Sequence, residues 1–134
     1  MIIAVDFDGT CVTHEYPYIG RENEGCVDVL KELVREGHKI ILYTMRSGKY
    51  LEDAVGWFKE REIPLWGINE NPTQSTWTKS PKIYANLYID DAACGCPLIY
   101  NESENRPFVD WNTIKIMLLA NGIIKHTKSE SRCD

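Results

Sequence analysis

Four carboxylates and a hydroxyl stand directly after short apolar runs: Asp6 and Asp8 after Ile2-Ile3-Ala4-Val5, Thr44 after Ile40-Ile41-Leu42-Tyr43, and Asp90 and Asp91 after Leu87-Tyr88-Ile89. A short apolar run ended by a polar turn reads as a buried parallel strand, and ligands of open α/β sheets bind where such strands end. Residues far apart in sequence thereby become neighbours on one sheet edge. Asp6 and Asp8 would point to opposite faces of a continuing strand, but Gly9 lets the chain turn so that both converge on one ligand. Carboxylates gathered in this way repel one another and any anionic substrate. The usual remedy is a hard divalent cation such as Mg²⁺, with a lysine completing the charge balance. Lys82, eight residues before Asp90, and Lys79 are the candidates, and the spacing of Lys82 suits one helix turn leading into the strand. Thr44 can donate to a phosphate oxygen, helped by the backbone N–H groups of Met45 and Arg46, and the Arg46 side chain is a further candidate contact. Together these are the parts for phosphoryl transfer.

Such residues need a scaffold that delivers them to one edge, and the chain alternates accordingly. Strands are expected at residues 2–6, 39–44 and 86–90, with a weaker one at 65–68 and a short edge strand at 98–100. Val27, Val29, Leu30, Leu33 and Val34 have helical spacing over 26–36, with Gly37 as C-cap. Leu51, Ala54, Val55 and Phe58 predict a second helix ended before Pro64, and residues 111–120 a last one opened by Asp110 and closed at Asn121-Gly122. Residues 11–24 form a loop too short for an inserted domain, and 69–81 are turn-rich with some helical portion. The expectation is a single-domain α/β fold, a doubly wound, Rossmann-like parallel sheet over residues 1–124, followed by a polar tail at 125–134.

Composition narrows the function classes. The chain has 134 residues, 43% of them hydrophobic and 26% charged, as in an ordinary globular domain without a membrane span. A net charge of −5 argues against a general nucleic-acid surface. The N-terminal apolar run is too short for a secretory signal and no basic residue precedes it, so a cytoplasmic location is expected. The five cysteines read as reduced thiols rather than a disulfide framework. Cys94 and Cys96 fall short of a zinc site, since no matching pair stands elsewhere. His14 lies in the loop facing the site, where solvation is the simpler role than substrate contact.

The order DFDGT, LYT, a lysine and YIDD resembles the haloacid dehalogenase (HAD) superfamily, specifically its Mg²⁺-dependent aspartate-nucleophile phosphatases, and the likeness runs from Ile2 to Asp91. The resemblance implies that Asp6 forms an aspartyl-phosphate and that Asp8 is the general acid/base. It further implies that Thr44 binds phosphate and that Lys82 holds the nucleophile and the phosphoryl group. Asp90 then contacts the metal directly, Asp91 through water or by orienting it, and Asp8 through its backbone carbonyl. Dehalogenase members lack the acid at the second position, so Asp8 favours phosphoester chemistry. A carboxylate is a weak nucleophile that needs metal and lysine to neutralise the incoming dianion, and covalent capture splits one hard displacement into two easier ones.

The expected protein is therefore a HAD-like phosphatase without a large cap, acting on a phosphorylated small molecule or an exposed phosphoester, with a homo-oligomer admissible. A receiver-type switch domain would use similar parts but in another order along the chain. The remaining alternatives are a non-catalytic binding or scaffold protein on this fold, and a phosphotransferase using the same aspartate.

Overall fold

The apolar runs that end near Asp6, Thr44 and Asp90 form strands of one parallel sheet. In the computed structural model, which describes residues 1–125, β1 (Ile2–Val5) lies between β2 (Lys39–Leu42) and β4 (Leu87–Ile89), and β3 (Gly67–Ile68) pairs with the outer edge of β2. The expected tail at 125–134 lies outside the described residues except for Lys125. The strand order β3-β2-β1-β4 places the reversal of direction between β1 and β4, the point at which open α/β sheets bind ligands. Val5 is level with both Leu42 and Ile89, so Asp6, Tyr43 and Asp90 leave the sheet together. The ladder continues one step beyond it: the Asp6 N–H donates to the Ile89 carbonyl at 3.0 Å and the Tyr43 N–H to that of Val5 at 2.8 Å.

Strand alternation divides the apolar side chains between two faces. Ile3, Val5, Ile40, Leu42 and Ile89 pack with the buried faces of α1 (Cys26–Arg35), α2 (Gly48–Glu60) and α3 (Trp111–Ala120) in one core. α1 ends as its sequence predicts, with Gly37 at φ 90° taking the left-handed conformation. Asp110 caps α3 by accepting from the Thr113 N–H at 3.2 Å and its hydroxyl at 2.8 Å.

The opposite face corrects the doubly wound expectation. Among the described residues no α-helix covers it; Ala4 and Ile41 pack instead on Ile83 and Ala85, from the crossover between β3 and β4. That crossover has only a one-turn 3-10 helix, Gln74–Thr76. Pro81 has no N–H with which to continue a helix, and side chains replace the missing backbone pairing. Gln74 donates to the carbonyls of Lys82 at 2.6 Å and Ser80 at 3.2 Å and accepts from the Tyr84 N–H at 2.8 Å, while Asn71 donates to the Tyr84 carbonyl at 3.0 Å.

The expected edge strand at 98–100 also differs. β5 (Leu98–Ile99) leaves the main sheet and pairs antiparallel with β6 (Phe108–Val109). Val109 N–H donates to the Gly9 carbonyl at 3.0 Å, fixing this hairpin to the turn after β1. No helix among the described residues is long and apolar enough to cross a membrane.

Candidate active site

The turn after β1 is built so that four acidic side chains and their partners fit around it. Phe7 is fully buried and its carbonyl accepts from the N–H groups of Thr10 and Cys11 at 3.1 and 2.8 Å. Gly9 sits at φ 80°, and a Cβ there would fall on the His14 imidazole and the Asp91 carboxylate. Thr10, fully buried, donates its hydroxyl to Asp6 Oδ2 at 2.8 Å and accepts from the Asp91 N–H at 3.1 Å. One side chain thus joins the ends of β1 and β4. The Thr10 carbonyl is in turn held by Trp111 Nε1 at 2.7 Å and Asn23 Nδ2 at 2.8 Å, which anchors the turn to α3 and to the residues before α1.

Asp6, Asp90 and Asp91 each offer a carboxylate oxygen, and these lie within 4.8 Å of one another. Burial, the hydrogen bond with Asp91 and the charge of Asp90 push the Asp6 carboxyl up to about 8, although Thr10 pulls the other way. Asp90 is raised by burial and by Asp91, against the Ala92 N–H that donates to it at 2.9 Å. Among the described residues no lysine or arginine pairs with these three carboxylates. Three hard oxygen donors at this separation fit a divalent cation such as Mg²⁺. Asp91 is already engaged, with His14 Nε2 2.9 Å from its Oδ2, which suits an orienting role better than it suits Asp90.

Asp8 and Arg46 meet in a way that spacing does not reveal. Arg46 Nε donates to Asp8 Oδ2 and Nη2 to Oδ1, both at 2.8 Å. The guanidinium also donates to the carbonyls of Pro17, Tyr18 and Tyr50, and the residue is only 2% exposed. The expectation that its side chain contacts phosphate is therefore corrected: its donors are committed to protein acceptors. Its backbone N–H points to Thr44 Oγ1 at 3.2 Å, and the Thr44 N–H is taken by Asn69 Oδ1 at 2.8 Å. The Asp8 side chain stands apart from the metal-type cluster, leaving only its backbone for the contact that the resemblance implies.

A cleft of about 520 Å³ collects Asp6, Asp8, Thr44, Met45, Arg46, Asp90 and Asp91, and with them His14, Tyr16, Ala92 and Arg106. Neither expected lysine lines it. Lys82 is exposed, with its ammonium 5.9 Å from the centre of the Tyr88 ring, and Lys79 lines a different depression beside Asn69 and Gln74. Lys82 stands before β4, as its spacing predicts, but is not among the residues that line the cleft. Cys94 and Cys96 follow Asp91 outside the cleft and outside the carboxylate cluster.

Residue pattern alone does not assign Thr10, His14, Tyr16 and Arg106 to the site. Thr10 carries a usable signal, a hydroxyl two residues beyond Asp8, whereas Arg106 comes from a hairpin whose pairing is invisible locally.

No protein-family model and no curated protein matches the chain. A solved structure of a conserved protein from Bacteroides thetaiotaomicron superposes with a TM-score of 0.72 at 36% identity, over 90% of this chain and 91% of that one. The likeness extends over nearly the whole of both chains, and at that identity and coverage the chain belongs to the family of this Bacteroides thetaiotaomicron protein.

Proposed function

We propose that the protein is a Mg²⁺-dependent phosphatase of the HAD type, without a large cap, that hydrolyses a phosphate monoester through an aspartyl-phosphate on Asp6. The observation that carries this reading is the meeting of Asp6, Asp90 and Asp91 at the β1–β4 switch point, in one cleft with Thr44 from the end of β2. Asp6 and Asp90 would hold Mg²⁺ with Asp91 orienting the site, and the ion would supply the positive charge that offsets the phosphoryl dianion and the carboxylate cluster. A carboxylate oxygen of Asp6 attacks phosphorus and the bond to the ester oxygen breaks, with the leaving alcohol taking a proton. Water then attacks the same phosphorus, the Asp6–phosphorus bond breaks, and the water's proton passes to a base. Thr10 keeps Asp6 Oδ2 in place through both steps, and the Thr44 hydroxyl is available to a phosphoryl oxygen.

Asp8 is the acid/base in this scheme, and its pairing with Arg46 constrains the role. Each of its oxygens is held by one guanidinium N–H, so the proton must be carried on a remaining lone pair, beside that cation. That same ion pair is the observation favouring the alternative, a non-catalytic binding protein in which Asp8 and Arg46 only brace the loop. Leaving-group dependence separates the two. Asp8→Asn is expected to slow hydrolysis of alkyl phosphates by roughly 100- to 10,000-fold and of 4-nitrophenyl phosphate far less, because a good leaving group needs little protonation. Equal losses across leaving groups of widely different pKa would remove the acid role.

The test of the whole reading is phosphate release from an aryl phosphate with Mg²⁺ and with a chelator. Asp90→Ala is expected to raise the Mg²⁺ concentration for half-maximal activity by at least about tenfold, or to abolish activity, since it removes the cluster's least engaged carboxylate. Exchange of Cys94 and Cys96 for Ser should leave the Mg²⁺ titration unchanged. Turnover that survives exhaustive chelation overturns the metal assignment, and wild-type protein without turnover in Mg²⁺ favours the binding protein.

A further inference from the structure

We propose that Arg106 binds an oxyanion of the substrate at the mouth of the cleft and so helps determine which phosphoesters are accepted, an inference that rests on the phosphatase reading above. The cleft holds four carboxylates, from Asp6, Asp8, Asp90 and Asp91, against the guanidinium groups of Arg46 and Arg106. Arg46 is consumed by Asp8 and three carbonyls, and His14 is engaged by Asp91. Both expected lysines lie elsewhere. Arg106 is exposed, lines the cleft, and its side chain makes no ion pair or hydrogen bond among the described residues. It is the guanidinium whose donors remain available, and its planar fork matches a phosphate or carboxylate in bidentate fashion.

The supporting hairpin holds Arg106 beside the acidic turn. On one side of it, Glu104 accepts from Arg21 Nη2 at 2.7 Å, and the Arg21 guanidinium lies 5.8 Å from the centre of the Phe108 ring. On the other side, the Val109 N–H donates to the Gly9 carbonyl at 3.0 Å, and Trp111 Nε1 to the carbonyl of Thr10 at 2.7 Å. Arg106 also precedes Pro107, which disfavours helical backbone at that position, and the chain bends there before entering β6. A guanidinium carried on this anchored hairpin next to clustered carboxylates, yet not paired with any of them among the described residues, is available to an incoming anion. That anion is either the transferring phosphoryl group or a second anionic group on the alcohol part of the substrate.

Arg106→Gln and Arg106→Lys, measured against wild type with phenyl phosphate and 4-carboxyphenyl phosphate, distinguish these sources, with calorimetry of inorganic phosphate in Mg²⁺ as an independent readout. Arg106→Gln is expected to lower kcat/KM by about 10- to 100-fold on at least one substrate, the range of a charged hydrogen bond, with Arg106→Lys recovering part of the loss. Loss on both substrates together with weaker phosphate binding assigns the transferring group. Loss confined to the carboxylated substrate assigns a second anion. Values within about twofold of wild type for both substrates and for phosphate overturn the proposal. Should wild type hydrolyse neither ester, the phosphatase reading fails while calorimetry still decides on Arg106: weaker phosphate binding by Arg106→Gln than by wild type upholds it, and unchanged binding, or no binding by either protein, overturns it.

Discussion

Asp6→Asn is expected to reduce phosphatase turnover at least about a thousandfold, to background, and at the same time to stabilise the metal-free protein near neutral and mildly alkaline pH. The first effect follows from loss of the attacking carboxylate and a metal donor together, while Asn retains the shape and an oxygen that can accept from Thr10. The second follows from proton linkage. In the metal-free fold the Asp6 carboxyl is pushed up to about 8 from an ordinary 3.8, chiefly by burial and then by Asp91 and Asp90. Between those values the unfolded chain is ionised at this position while the folded one keeps its proton, so the folded state binds more protons and loses stability as pH rises through the window. Below it both states are protonated and the group contributes no slope; above it the loss levels off. Each tenfold change in proton affinity is worth about 1.4 kcal/mol, so the penalty accumulated across this window is large against the net stability of a small domain. Thermal melts in chelator should therefore show Asp6→Asn above wild type near pH 8 and level with it near pH 3. A melting difference independent of pH would show that the carboxylate cluster does not strain the metal-free site. Retained turnover in well-folded Asp6→Asn protein would remove Asp6 as nucleophile.

The elements that carry Asp6, Thr44 and Asp90 are legible in the sequence because each signal is local. Buried parallel strands read as continuous apolar runs, and the ends of α1 and α3 are marked by Gly37 and Asp110, whose roles depend on backbone conformation and capping within a few residues. The layer on the second face is not legible in the same way. Asn71 and Gln74 hold the β3–β4 crossover through side-chain bonds to residues 6 to 13 positions away, and no helical or strand period accompanies such contacts. β6 is two residues long beside Pro107 and exists through its pairing with β5, which is a non-local event.

The site divides along the same line. That Asp6, Asp90 and Asp91 converge follows from strand ends sharing one edge, and the structure brings their oxygens together. Side-chain direction does not follow. Lys82 has a suitable spacing from Asp90, yet it approaches Tyr88, whose ring meets Tyr43 at 6.3 Å on the sheet face opposite the helices. His14 reads as a solvated loop residue until the turn at Gly9 folds its imidazole against Asp91. Arg46 follows Thr44 by two positions and so looks aimed at the same ligand, but the loop containing Pro17 and Tyr18 closes over it and supplies acceptors that compete for its donors.

That enclosed guanidinium yields the largest expected effect on the fold itself. Arg46→Ala is predicted to destabilise the protein by about 3–5 kcal/mol, the cost of breaking a buried ion pair by removing one partner. The Arg46 side chain is 1% exposed and that of Asp8 18%, so little water reaches the carboxylate left behind. The carbonyls of Pro17, Tyr18 and Tyr50 lose their donors as well, which frees the loop after β1 from the first turn of α2. The guanidinium also packs 5.1 Å from the Phe7 ring centre and 5.2 Å from that of Tyr16, so apolar contact is lost with the charge. Arg46→Lys should recover little, because one ammonium cannot span both Asp8 oxygens and three carbonyls. Urea unfolding of Arg46→Ala, Asp8→Ala and the double variant isolates the pair: the double variant is expected to be less destabilised than the sum of the singles, since deleting Asp8 removes the stranded charge. Additive losses, or a cost below about 1 kcal/mol for Arg46→Ala, would mean that the pair is not a structural brace. A large coupling accompanied by loss of phosphatase activity in Arg46→Ala, measured below its unfolding transition, would assign Arg46 the positioning of Asp8 that the acid/base role requires.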